Sequence, residues 1–347
     1  MNKEFLTGHR VVFTPSLYVI DPANGRVAAS HYGGVSLAQL NEFLDGGARD
    51  LGARPLAPAD SALAQAGEAL GHGQLPEAVA AYRRALALGG ASWPQREPAM
   101  AELAWTLMTS GEHQACADLA LAEAPGMNRG PGFARVVLAG LLSANMADTT
   151  AWAVAARAKL VPLAREATAI TTIARNDRFQ LYQELMAGTD LAGDTVAAVQ
   201  WGDRWLAEIE RTKPANDDER SALDIARVDA VSMLGTPERA IAPLEASERA
   251  MPRNYNACLR LAQVLSDAKR YDEALAACDR GLARVDGPLG RTWLLETKAG
   301  AFMGKGDSAQ ARAVLEEARR SANQIVMASN RDNNLRRIDR LMAEAQK

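Results

Sequence analysis

No stretch of this 347-residue chain approaches the roughly 18 consecutive apolar residues that a membrane-spanning helix needs. No sign of charge dominates either. The formal net charge of −3 offers no electrostatic case for binding nucleic acid or an anionic membrane, so neither is expected as a partner. Cysteine is scarce: Cys116, Cys258 and Cys278 form no Cys-x-x-Cys pair, and three make no disulfide framework. They read as buried small apolar residues, with a facing pair of Cys258 and Cys278 left open. Aromatic residues are only 5% of the chain although 48% is apolar. Alanine supplies the difference, and alanine both favours helix and lets helices approach closely.

Motifs that carry chemistry are missing as well. Zinc-ligand spacing, a metalloprotease helix, a nucleophile elbow and a dinucleotide fingerprint are all absent. Gly304-Lys305-Gly306-Asp307-Ser308 lacks the upstream glycine and the residue order of a phosphate loop. The histidines His9, His31, His72 and His113 are scattered, with His72 and His113 read as solvated turn residues. No carboxylate pair stands out by spacing. The expectation is a protein with no catalytic residue, metal or cofactor. The opening MNKEFLTGHRVVFTPS lacks the apolar segment and cleavage site of a signal peptide. The chain as written is therefore expected in the cytoplasm; a true start further upstream with a signal peptide would export it.

What is present is a repeated helical pattern, clearest from Asn254 to Arg284. Leu259, Leu261, Ala262 and Leu265 recur at helical spacing, and the pattern breaks at Ser266–Arg270. It resumes with Tyr271, Ala274, Leu275, Cys278 and Leu282. So short a break predicts two antiparallel helices. Counting from the turn residue Lys269, marks fall two, five, nine and twelve residues on. Gly73, Gly111, Gly193, Gly235 and Gly306 start the same count, and the five-residue mark is always Ala or Cys: Ala78, Cys116, Ala198, Ala240, Ala274 and Ala311. From Ala240 to Ala274 is 34 residues and from Ala274 to Ala311 is 37.

Through Leu261-Ala262, Tyr271, Ala274 and the small Gly281, the stretch resembles the tetratricopeptide repeat family. It lacks that family's aromatic at Cys258 and a closing proline near Asp286. The predicted fold is mainly α: an α-solenoid of antiparallel helix pairs, with about seven repeats over residues 61–330, the third irregular with a break or kink expected at Pro162, and a charged capping helix over 331–347. Residues 51–60 read as a linker, after which Asp60 or Ser61 caps the first repeat helix. Lys213–Asp218 reads as a polar loop between the fourth and fifth repeats.

Residues 1–50 differ. Ser16–Ile20 is β-prone, Asp21-Pro22-Ala23-Asn24-Gly25 is turn chemistry, and Arg26–His31 reads as a second strand. A helix capped by Ser36 then runs through Leu37, Leu40, Phe43 and Leu44 and is expected to close at Gly46-Gly47. The stretch from Phe13 to Leu44 resembles the C-terminal half of a thioredoxin-like domain. The resemblance implies a cis-proline at Pro15, in Thr14-Pro15. The redox cysteines of that family would lie upstream and have no counterpart here.

The tetratricopeptide resemblance implies that the first helix of each pair lines a groove for peptides or protein segments. Phasing the first helices places Trp105, Met108, Gln183, Asp190, Asp229, Arg260, Gln263, Asp267 and Glu296 toward it. Trp105 is the strongest individual candidate, because exposed aromatics concentrate in binding hot spots. Trp152, Trp201, Trp205 and Trp293 are expected in the core. The set carries more acid than base, which favours a basic or neutral segment. The Lys/Asn/Arg clamp that some family members use for a C-terminal carboxylate is not visible. The expected function is a protein-interaction scaffold. Two alternatives stand beside it: a thioredoxin-repeat fusion whose full form exchanges thiols and disulfides, and a homo-oligomer formed through the hairpin edge.

Overall fold

A computed structural model describes residues 16–22, 27–32, 37–51 and 57–346. Pro15, and with it the implied cis-proline, lies outside them. The first described elements are strands β1 (Ser16–Ile20) and β2 (Val27–Tyr32), paired antiparallel, Ser16 facing Tyr32, with a bulge between Val19 and Ile20. Helix α1 (Leu37–Leu51) follows. It does not close at Gly46-Gly47 but continues through them. The reason is packing: a Cβ on Gly47 would lie 2.6 Å from a Val19 methyl, so the glycine lets β1 press against the helix.

Fifteen further helices are described. In the N-terminal half they are α2 (Pro58–Gly71), α3 (Leu75–Gly89), α4 (Arg96–Thr109), α5 (His113–Glu123), α6 (Pro131–Met146), α7 (Ala151–Thr168) and α8 (Arg175–Leu191). Then come α9 (Thr195–Arg211), α10 (Asp217–Leu234), α11 (Glu238–Ala250), α12 (Tyr255–Asp267) and α13 (Tyr271–Leu282). The last are α14 (Pro288–Gly304), α15 (Ser308–Ala322) and α16 (Ala328–Glu344). The chain divides into two compact units, Met1–Trp201 and Gly202–Lys347, with the boundary inside α9. Within each unit successive helices pack as antiparallel pairs. First helices also pack on first helices: α4 on α6 and α6 on α8 in one unit, α10 on α12 and α12 on α14 in the other. This two-layer stack of helix pairs is the α-solenoid class.

The six turn residues counted from the sequence all have positive φ: Gly73, Gly111, Gly193, Gly235 and Gly306, with Lys269 at 60° the one that is not glycine. Each turn closes with the same two backbone bonds of a left-handed helix cap. At Lys269, its own N–H donates to Ser266 and the Arg270 N–H donates to Leu265. The irregular third pair turns instead at Asp148, φ 53°. There the Ala144 carbonyl, which the second bond would satisfy, accepts from the buried Arg157 guanidinium at 2.7 Å.

The five-residue marks are buried, and Cys116 Sγ donates to Ala104 O of its paired helix at 3.2 Å. Ala78, Cys116, Ala240, Ala274 and Ala311 have no exposed surface, and Ala198 is buried. Between one pair and the next, glycines serve where a methyl is too much: a Cβ on Gly140 would lie 2.5 Å from the Ala120 Cβ, and one on Gly281 would lie 2.6 Å from Leu294. Two boundary expectations change. Helix α2 begins at Pro58, whose missing N–H costs nothing in a first turn, so Asp60 is inside the helix and accepts from Trp93 Nε1 at 2.9 Å. Helix α7 runs through Pro162 without a break. Pro162 and Ala158, whose carbonyl loses its helical donor, both lie on the exposed face, where water can replace the bond.

Candidate functional site

In the second unit, α10, α12 and α14 present neighbouring faces that enclose a groove of about 500 Å³. Asp229 from α10 and Arg260, Gln263 and Asp267 from α12 line it together. Four of the residues phased toward a groove therefore share one. Others come from the same register and were not singled out from sequence. Ser232 and Ser266 stand three residues before their turns, as Asp229 and Gln263 stand six before theirs. Thr297 and Gly300 complete the third wall. Their shared offset from the turn was the available signal; their small polar side chains gave no other.

The electrostatics of the groove are uneven. Partial burial pushes the Asp229 carboxyl up, and the nearby Arg260 opposes the shift. Burial also raises Asp267, against a hydrogen bond from Ser232. The Arg260 guanidinium is pushed down by burial and held up chiefly by Asp229. Its Nη1 reaches Gln263 Oε1 at 3.5 Å. Neither carboxylate has an ion-pair partner within 4 Å among the described residues. Both side chains are exposed and open to a ligand, while the surrounding groove walls remove part of their hydration.

The remaining candidates lie elsewhere. Glu296 does not face an open groove: it is buried, and α16 covers it, with Arg337 Nε donating to its Oε2 at 2.6 Å. Trp293 beside it is half-buried and donates to Asn334 of α16 at 3.1 Å. Sequence phase could not see this, because the covering helix comes from 40 residues further on. In the first unit, Met108 is buried, not exposed to a groove. The α4 helix is packed against α3, α5 and α6. Trp105 is half-buried with the Arg135 guanidinium 5.8 Å from its ring centre. Gln183 is half-buried and Asp190 exposed on α8. Trp201 and Trp205 are core residues, whereas Trp152 is half-buried.

A polar cluster in the first unit was not anticipated. Arg135 Nη1 lies 2.8 Å from His31 Nε2, and Arg135 Nη2 donates to Glu102 Oε1 at 3.2 Å. His31 Nδ1 is 3.4 Å from the same Glu102 oxygen. Because the guanidinium can only donate, His31 Nε2 accepts and its proton sits on Nδ1, toward Glu102. Asp177 is buried in the same unit; desolvation pushes its carboxyl up to about 6, against the charge of Arg135.

The three thiols are all buried and free. Burial pushes Cys116 and Cys258 up to about 11 and Cys278 to about 12. Cys258 also donates toward Glu248 at 3.4 Å. A thiolate, the species that disulfide exchange requires, is disfavoured at every one. Among the described residues no cluster of metal-ligating side chains occurs, and no helix is long and apolar enough to cross a membrane.

Helix pairs joined by left-handed caps and stacked first helix on first helix make this a helical-repeat protein. Residues 233–294, from the end of α10 into α14, match the family model of the tetratricopeptide repeat, and the chain carries tetratricopeptide repeats there. The family match does not extend to the residues that resemble a thioredoxin-like half-domain. Among solved structures, the chain is similar to a tetratricopeptide repeat protein from Parabacteroides merdae ATCC 43184, with 11% identity and a TM-score of 0.49, over 84% of this chain and 99% of that one. It is similar to the TPR2AB domain of yeast Sti1 in its pHSP90 complex, with 15% identity and a TM-score of 0.33, over 83% and 98%. It is also similar to YrrB, described as a TPR protein with an unusual peptide-binding site, with 14% identity and a TM-score of 0.31, over 59% and 90%. No curated protein matches the chain.

Proposed function

We propose that the protein is an interaction scaffold that takes an extended protein segment in the groove of its second unit. The carrying observation is that Asp229 and Asp267 line this one groove, both exposed, with no cation within ion-pair distance among the described residues. A lysine or arginine side chain from a partner would relieve both carboxylates at once. Arg260, Gln263 and Thr297 supply donors and acceptors for the backbone of an extended segment, whose own amide groups need partners when taken out of water. The partner is thus an extended segment with a basic side chain.

Panning a randomised twelve-residue peptide library against the full chain tests this reading. Enrichment of lysine or arginine is expected, with binding that weakens as salt rises. Asp229→Asn with Asp267→Asn should lower the affinity of the selected peptides at least tenfold. Selection of acidic peptides, or equal binding by the double variant, would overturn the reading.

A further inference from the structure

The strand β2 of this chain already lies along the first unit as an extended segment, packed on α2 and reaching α4 and α6 through His31. The register of that contact is informative. Glu102 and Trp105 precede the turn residue Gly111 by nine and six positions. Arg260 and Gln263 precede Lys269, and Thr297 and Gly300 precede Gly306, by the same nine and six. His31 therefore rests on the row of first-helix positions that in the second unit lines an open groove.

The way β2 is held differs from the way core is held. Every described hairpin side chain with an assigned exposure, Leu17 to Asp21 with Ala29 and His31, is only partly buried, apart from the exposed Pro22. In α1 the one buried residue among those assigned is Gly47. A lone two-stranded hairpin is marginal in water, so it depends on this seat. The floor beneath is charged, with Glu102 and Arg135 both buried. Burying such a pair under a permanent wall is costly compared with apolar packing. Under a ligand the same charges read a specific side chain. His31 is that side chain: its neutral ring accepts from Arg135 and points its proton at Glu102.

We propose that the first-helix face of the first unit is a second segment-binding surface, closed in cis by β2 and opened when an external strand replaces it. The strand it fits is extended and carries, at the His31 position, a side chain that donates and accepts at once: an imidazole or a carboxamide. This surface differs from the acidic groove of the second unit, which selects for a cation.

The test uses the full chain and a fluorescent synthetic peptide of its own residues 16–32. In the unmodified protein, β2 amides should exchange hydrogen at least a hundredfold faster than the Phe133–Leu141 core of α6, reporting local release. The labelled peptide should bind the His31→Ala chain at least tenfold tighter than the unmodified chain, because the internal competitor is weakened. The His31→Gln chain should behave as unmodified, and a peptide carrying His31→Leu should bind neither chain. Exchange of β2 at the rate of the α6 core would show a permanent wall and overturn the proposal without any variant. Equal peptide binding by unmodified and His31→Ala chains, or no binding to either, would overturn it too.

Discussion

Asp177 shows what single residues cost this architecture. Its carboxyl is shielded from water and is raised from 3.8 to about 6. The folded chain therefore holds this proton more tightly than the unfolded chain does. The group's contribution to stability is complete below about pH 4 and is lost as pH rises through 6. At pH 7.5 the buried anion costs up to about 3 kcal/mol. Asp177→Asn should accordingly raise the melting temperature at pH 7.5, and the gain should shrink toward pH 5; thermal denaturation of both proteins at the two pH values checks it. The thiols offer a second test at this scale. With all three buried and raised to 11 or above, an aromatic disulfide reagent at pH 8 should label none in the native chain and three after denaturation. Fast labelling of any cysteine in the folded protein would contradict the burial described.

At the scale of the element, the turn between paired helices is the recurring device. Lys269 adopts a left-handed conformation that costs a side-chain-bearing residue about 1 kcal/mol. Lys269→Gly should stabilise the chain by about 0.5 kcal/mol in urea titration, because the relief of the left-handed strain exceeds the added unfolded-state entropy. Gly306→Ala should lose about 1 kcal/mol by the same logic. Close approach is the other device. Gly140→Ala would drive a methyl into that of Ala120, and two backbone-anchored methyls cannot rotate apart, so a loss of about 2–3 kcal/mol is expected. The six turns and their buried Ala or Cys residues were legible in the sequence because they depend on local backbone conformation and on side-chain size. The turn at Asp148 was not, because its cap is a guanidinium from the next helix.

For each unit as a whole, what covers what matters most. In the second unit α16 closes the stack over Leu295, Leu315 and Ile325, with Ile338 buried at the centre of that contact. The same helix brings Arg337 onto the buried Glu296. Arg337→Ala leaves that carboxylate without its cation and should cost about 2 kcal/mol, less than for a fully buried pair because Arg337 is half-exposed. Urea unfolding of the variant, compared with Arg337→Ala in a Glu296→Gln background, isolates the pair: the second loss should be clearly smaller.

The amino-acid order by itself determined the helix pairs, their turns and the register that gathers Asp229, Arg260, Gln263 and Asp267. Those features follow from helical period, side-chain volume and the backbone freedom of glycine, all of which act over a few tens of residues. Only the tertiary structure decided which register positions stay open. Met108 is enclosed by neighbouring helices, Glu296 by α16, and Glu102 by His31 of a strand about 70 residues earlier. Periodicity tells which way a side chain points from its own helix; it holds no information about a distant segment that arrives to cover it.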